Sequence, residues 1–260
     1  MTIGYNRLGS NGRFANQMFQ YAGLRGVAAH RGFDFKVPPP GNYGRSDYAL
    51  FECFEMGSVR PENFGFVDGG SIATGQFHFY QKFFDNCPDN VNLHDYFQTE
   101  KYFKHIRDEI KGDFEFKDEI SSPCKDTMAE IEEPVSLHIR RTDYISNPNH
   151  SALGLEYYEK ALRTFDKRST IVVFSDDPDW CNEQELFASD RFLVAEGNVN
   201  YVDLCLMTLC TGHIIANSSF SWWGAWLSDS KKVVAPTNWF SGHLEDQDTN
   251  DLDCPDWEVM

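Results

Sequence analysis

From residue 135 to residue 236 short apolar runs alternate with helical patterns, and no other feature constrains the fold as tightly. Val135-Ser136-Leu137-His138-Ile139 alternates as a strand does, and residues 155–165 follow with helical spacing. Ile171-Val172-Val173-Phe174 is continuously apolar, the mark of a parallel strand covered on both faces. Residues 178–187 read as a helix with Pro178 in its first turn, 192–194 as a strand, 202–209 as a helix and 213–216 as a strand. A short helix over 221–227 and a strand over 232–235 close the series. Strand and helix taking turns predict an α/β domain on a parallel sheet. In such sheets ligands bind beyond the C-terminal ends of the strands, so functional residues are sought there.

The preceding part of the chain is less regular. Residues 16–30 have the apolar spacing of a helix, which follows a turn-rich loop over 8–12 and ends near Gly32. Residues 35–95 are rich in Pro, Gly and Phe with weak periodicity. A second helix is expected over 100–110, and the charged residues 111–133 read as an exposed connection.

Composition narrows the function classes. The 260 residues are 41% hydrophobic and 15% aromatic, which excludes a disordered chain and leaves room for one large or two small cores. Aromatic rings suit carbohydrate, whose C–H faces pack on them, although for any single ring a place in the core is the simpler reading. A net charge of −17 argues against nucleic acid and anionic membrane as partners. A small anion remains open to a local basic cluster. The seven cysteines are odd in number and lack a CxxC, so neither a disulfide framework nor a zinc ribbon is expected. Cys205 and Cys210 read as buried thiols, Cys124 and Cys254 as exposed ones. The first residues lack the apolar stretch of a signal peptide, and no apolar run is long enough to span a membrane, so the expected location is cytoplasmic.

Three segments fall at strand ends. His138-Ile139-Arg140-Arg141-Thr142-Asp143-Tyr144 runs off the first strand of the regular half, with His138 and Arg140 on one face. Its paired arginines are the densest cationic spot in an acidic chain, and a guanidinium fork suits a diphosphate. An Arg–Asp pair that merely staples a loop fits the same residues. Ser175-Asp176-Asp177-Pro178 places two carboxylates between a strand and a helix, where they accept from ribose or base donors, or where Asp177 simply caps the helix. Asn217-Ser218-Ser219-Phe220 ends a strand and begins a helix, a place that attracts an anion through backbone N–H groups and the helix dipole. The alternative is a Ser cap on an aromatic core helix, with Trp222, Trp223 and Trp226 as packing residues. Gly12-Arg13-Phe14-Ala15-Asn16-Gln17 before the first helix is a weaker candidate for a substrate edge.

Taken together these segments resemble the α-1,2-fucosyltransferase family of GDP-fucose-dependent enzymes. Residues 12–21 are similar to its GxxGNQMFQY segment, 97–103 to FQSEKYF, 138–144 to HxRRxDY, 174–181 to FSDDxxWC, and 213–227 to HHIIANSSFSWWGAWL. The resemblance implies a GT-B-like α/β fold, two Rossmann-like halves facing across a cleft. Residues 1–125 would form the acceptor side and 126–260 the GDP-fucose-binding half, the last helix being able to return to the first half. It implies an inverting transfer of L-fucose to the 2-hydroxyl of a galactose-terminated glycan, without metal or other cofactor. Arg140 would hold the β-phosphate with His138 in support. Asp176 and Asp177 would contact the nucleoside, Asn217, Ser218, Ser219 and Phe220 the diphosphate and nucleoside, and Arg13 and Asn16 would reach the donor from the first half. Asp143 is the first choice of general base by position, with His150 and Glu156 as alternatives.

The chain departs from the family at Ala15, where Gly is usual and where a methyl is expected to crowd a tight turn. Other readings are a transferase with another GDP-sugar donor or linkage, and a non-catalytic protein that binds a glycan or GDP-sugar.

Overall fold

The computed structural model describes residues 1–41, 48–228, 230 and 232–260. The chain divides into two compact units, Met1–Lys117 with Asp248–Cys254, and Asp118–Gln247 with Pro255–Met260. The division lies at 117/118, against the 125/126 expected from the family resemblance, and a loop segment rather than a helix returns to the first unit.

The first unit contains β1 (Thr2–Gly4), α1 (Phe14–Arg31), β2 (Asp34–Lys36), α2 (Leu50–Cys53), β3 (Ser71–Ile72), α3 (Gln81–Asn86), β4 (Asn92–Leu93) and α4 (Arg107–Asp113). Its sheet has the order β2-β1-β4-β3, every pair parallel. Helix α1 stops where Gly32 turns left-handed at φ 65° and donates to the carbonyls of Ala28 and Ala29. Its Gly26 lies against the chain at Tyr102, whose carbonyl oxygen would stand 1.9 Å from a Cβ at that position. Buried Asp113 at the end of α4 accepts from the Tyr21 hydroxyl at 2.8 Å and pairs with Arg25, joining α4 to α1. The phenylalanines of the irregular middle fill this core, Phe54 meeting Phe14, Phe114 and Phe116. The returning segment is tied in by Asp251, which accepts from the Phe79 N–H at 3.1 Å and pairs with Lys101.

The second unit comprises α5 (Asp118–Ala129), β5 (Val135–Ile139), α6 (Leu155–Leu162), β6 (Ile171–Ser175), α7 (Pro178–Asn182), β7 (Phe192–Val194), α8 (Asn200–Thr208), β8 (Gly212–Ile214), α9 (Ser219–Leu227), β9 (Val233–Ala235) and β10 (Glu258–Val259). Six parallel strands run in the order β10-β9-β8-β5-β6-β7. Strand order therefore reverses between β5 and β8, and the crevice outside their carboxyl ends is the expected ligand position. Inside the sheet His213 is fully buried between the hydroxyls of Ser136 at 2.7 Å and Ser228 at 2.9 Å. Trp222, Trp223 and Trp226 are packing residues as expected, all buried, with Trp257 against Trp222. Gly224 lets α9 approach α8, since a Cβ there would lie 2.9 Å from Met207 Cβ.

Several sequence expectations need correction. Residues 100–110 form two 3-10 turns before α4, because Phe103 between them leaves helical geometry at φ −136°, ψ −1°. The supposed exposed connection over 111–133 contains α5, which buries Ser121, Cys124 and Met128. The helix expected over 178–187 is α7 followed by a separate 3-10 turn, Glu185–Phe187. Cys124 and Cys254 are buried, as are the other five cysteines. Ala15 sits buried in the first turn of α1 and is absent from the residues with left-handed backbone, so its methyl meets no tight turn.

Candidate active site

The β5 strand ends in Arg140, and two carboxylates hold that guanidinium. Asp143 lies 2.6 Å from one terminal nitrogen and Asp176, at the end of β6, lies 3.2 Å from the other. Asp176 also accepts the backbone N–H of Arg141 at 2.8 Å, that of Thr142 at 3.2 Å, and the Thr142 hydroxyl. Burial alone would raise this carboxyl, but the Thr142 and Arg141 hydrogen bonds and the charge of Arg140 outweigh it and hold it below its ordinary value. Asp177 caps α7 through the Trp180 N–H and pairs with Arg141 Nε at 3.1 Å. The Arg141 guanidinium lies 4.0 Å from the centre of the Trp180 ring. Both carboxylates thus brace the loop after β5, the stapling role that the residue pattern left open.

The neighbouring strand β8 leads through Asn217 to α9. Ser218 caps this helix, accepting from the Phe220 N–H at 3.4 Å. The α9 N-terminus presents the positive end of its dipole beside β5. Tyr144 ties the two strand ends together, its hydroxyl donating to the Asn217 carbonyl at 3.1 Å, while the Arg140 guanidinium lies 5.6 Å from its ring centre. His138, on β5, is 4% exposed and meets the Ser221 hydroxyl through Nδ1 at 2.9 Å, with the Phe220 ring 5.5 Å away. Burial drives its pKa down to about 3, with Arg140 adding to the depression and Asp176 opposing it. His138 is therefore neutral at physiological pH. Ser221 Oγ accepts the Ala216 N–H at 3.2 Å and lies 3.4 Å from the Ser218 carbonyl, to which it can donate, so its contact with His138 Nδ1 suits either tautomer of the neutral ring.

The second unit thus brings together His138, Arg140, Asp143, Asp176, Asp177, Asn217, Ser218, Ser219 and Phe220 around the ends of β5, β6 and β8. Arg13, exposed at the start of α1, and Asn16, which accepts from Gln98 Nε2 at 2.9 Å, belong to the first unit. Glu156 is exposed, its carboxylate folded back over Gly154. Residue patterns missed Ser221 as the partner of His138; a lone serine inside an otherwise apolar helix was the available signal. They also missed Tyr144 as the tie between strand ends, which sequence spacing does not reveal.

The Glycosyl transferase family 11 profile matches residues 76–260, more than half of the chain. The chain belongs to glycosyl transferase family 11. Family 11 relatives include the Escherichia coli alpha-1,2-colitosyltransferase, 32% identical over 94% of each chain. The E. coli O-antigen biosynthesis glycosyltransferase WbnK is 36% identical over 66% of this chain and 64% of its own length. Human galactoside alpha-(1,2)-fucosyltransferase 1 is 25% identical over 86% of this chain and 65% of its own. This chain thus spans slightly under two thirds of the latter two. Among solved structures, the fucosyltransferase NodZ from Bradyrhizobium superposes with a TM-score of 0.57 at 13% identity, covering 87% of this chain and 93% of that one. POFUT1 in complex with GDP gives 0.54 at 14% identity, covering 88% and 94%. The GT-B-like α/β class expected from the sequence is the class observed. Among the described residues no helix is long and apolar enough to cross a membrane.

Proposed function

We propose that the protein is an inverting transferase that moves L-fucose from GDP-fucose to the 2-hydroxyl of a galactose-terminated glycan or surface polysaccharide. The observation that carries this reading is the Arg140 guanidinium, oriented by Asp143 and Asp176 at the strand-order reversal beside the α9 N-terminus. In the transfer, the acceptor oxygen forms a bond to the sugar's anomeric carbon as the bond from that carbon to the β-phosphate oxygen breaks. The electron pair leaves with GDP, and the acceptor proton must be removed. Arg140, with His138 in support, stabilises the charge that builds on the diphosphate, and being held in place it does so without reorganisation. Ser218, Ser219 and Phe220 offer the helix end to the phosphates, with Asn217 beside them. Asp176 and Asp177 position the two arginines and border the nucleoside side, and Asp143 takes the acceptor proton. The fixed guanidinium supplies the charge stabilisation that a divalent ion gives in other transferases, so no metal is required.

A second donor, GDP-colitose, is favoured by one specific observation, the 32% identity to an alpha-1,2-colitosyltransferase along nearly the whole of both chains. Purified protein is incubated with EDTA, a lactose-type acceptor and either GDP-sugar, and GDP release is followed against a control without acceptor. Acceptor-dependent release with GDP-fucose supports the first donor, and release with GDP-colitose alone supports the second. Binding of a GDP-sugar without turnover on any galactoside would favour a non-catalytic binding protein. Absence of any GDP binding would end both readings.

A further inference from the structure

Beside Arg140 lies a cluster of polar atoms whose satisfied halves fix what the other halves can take. Asn217 is 4% exposed, and its side-chain amide donates to the carbonyls of Ser151 at 3.1 Å and Trp239 at 3.3 Å. Both N–H groups are thereby used, the amide cannot flip, and its Oδ1 is a fixed acceptor, buried and without a partner. His150 lies against the same Trp239 backbone, and its ring Nδ1 is buried without a partner. An imidazole nitrogen donates or accepts according to its tautomer, and a hydroxyl satisfies it either way. Two neighbouring buried polar atoms, Asn217 Oδ1 and His150 Nδ1, therefore both lack a partner. A buried acceptor left unmade is destabilising, and in native proteins such atoms usually meet a ligand or an ordered water.

The surroundings say which ligand. The His150 ring stacks on Tyr144 with centres 5.0 Å apart and meets Phe240 at 5.3 Å, while Tyr144 in turn lies beneath Arg140. The bare lone pair of Asn217 repels an anion, and hydroxyl groups suit both atoms. Aromatic edges accept C–H and methyl groups. The neighbouring guanidinium is where a diphosphate would end. A neutral ring that carries hydroxyls on one side and a deoxy carbon on another, attached to a diphosphate, satisfies all three conditions.

We propose that Asn217 Oδ1 and His150 Nδ1 form the subsite for the transferred deoxyhexose, Asn217 Oδ1 accepting from one of its hydroxyls and His150 Nδ1 hydrogen-bonding to another. The proposal rests on the GDP-sugar reading above and deepens it. It makes donor choice a matter of hydroxyl count, since colitose is fucose without its 3-hydroxyl.

The test compares affinities for GDP and GDP-fucose, by calorimetry, in the wild type and in His150→Phe, which keeps a ring against Tyr144 and removes the ring nitrogens. The expected result is unchanged GDP affinity and GDP-fucose affinity lowered about five- to fifty-fold. A parallel fall for both ligands would make His150 a scaffold of the nucleotide site and overturn the assignment. No change for either would mean that a water satisfies these acceptors, and would also overturn it. Unchanged GDP-fucose affinity with a fall in kcat and loss of the acidic limb of its pH profile would make His150 the proton acceptor instead. Should the variant not fold, the wild type alone decides. Singly deoxygenated GDP-fucose analogues are expected to bind about five- to fifty-fold more weakly at one or two positions, and equal binding of all of them would overturn the subsite. Failure of the wild type to bind GDP would instead remove the GDP-sugar reading itself.

Discussion

Arg140 is gripped on two sides, and the grip defines what its replacement should do. Lysine at this position keeps the charge but cannot bridge Asp143 and Asp176 as a planar fork does. Both Arg140→Lys and Arg140→Ala are expected to lower kcat by about two to three orders of magnitude, with circular dichroism unchanged. A lysine variant with near-native kcat would show that charge alone suffices. His138 and His213 make a second residue-scale prediction. Both pKa values are driven to about 3, chiefly by burial, so the unfolded chain binds protons that the folded one refuses. Stability is then full above the unfolded value near 6.5 and falls as pH drops from there toward 3. By pH 5 each histidine removes on the order of 2 kcal/mol. Urea midpoints should decline between pH 7 and pH 5, ahead of carboxylate titration, and His213→Gln should flatten that decline. A midpoint flat over this range would contradict the burial argument. At this scale the sequence made His138 and Arg140 visible, because their spacing puts them on one strand face. It hid Ser221, Tyr144 and Trp239, because hydrogen bonds between strand ends leave no periodic trace.

At the scale of elements, legibility tracked the continuity of apolar runs. Strands β5, β6 and β8 are covered on both faces and read directly from the sequence. Strand β10 spans two exposed residues and carries no such signal. Helix α5 buries Ser121, Cys124 and Met128, an i, i+3, i+7 face too polar to stand out beside SSP and charged neighbours. The described residues of the irregular 35–95 stretch form only short elements joined by aromatic packing, too brief to leave a periodic pattern. Close approaches between elements were equally hidden, and two glycines of similar sequence context are expected to behave differently. Gly26→Ala drives a methyl into the Tyr102 carbonyl, whereas nothing lies within 4 Å of a Cβ at Gly32. Overpacking against backbone costs about 1–3 kcal/mol or more and outweighs the ~1 kcal/mol gained by Ala in a helix. Gly32→Ala pays only for its left-handed φ, about 1 kcal/mol. The larger drop in urea midpoint should therefore belong to Gly26→Ala; the reverse order would mean that the approach of α1 to Tyr102 relaxes freely.

At the scale of the whole molecule, charge and connectivity matter more than any contact. With a net charge of −17 the chain repels an anionic ligand at long range, and the proposed GDP-sugar would be attracted close to Arg140 and Arg141. Raising ionic strength from about 0.01 M to about 0.15 M shortens the screening length from about 30 Å to about 8 Å, which removes the distant repulsion first. Stopped-flow association should accelerate over that range, and a monotonic slowing would show that local attraction dominates throughout. Connectivity gives a further expectation. Residues Asp248–Cys254 complete the first unit and Pro255–Met260 supply β10 to the second, so truncation after residue 247 removes the Lys101–Asp251 pair and the Trp257 contact together. Thermal melting of such a truncation should shift both units downward, and a native melting curve would show the tail to be dispensable. The same threading bears on how the chain is made. Domains commonly fold during synthesis, N-terminal first. Here the first unit needs Asp248–Cys254, translated after nearly all of the second, so being N-terminal gives it no head start and it cannot be completed before its neighbour is almost wholly made.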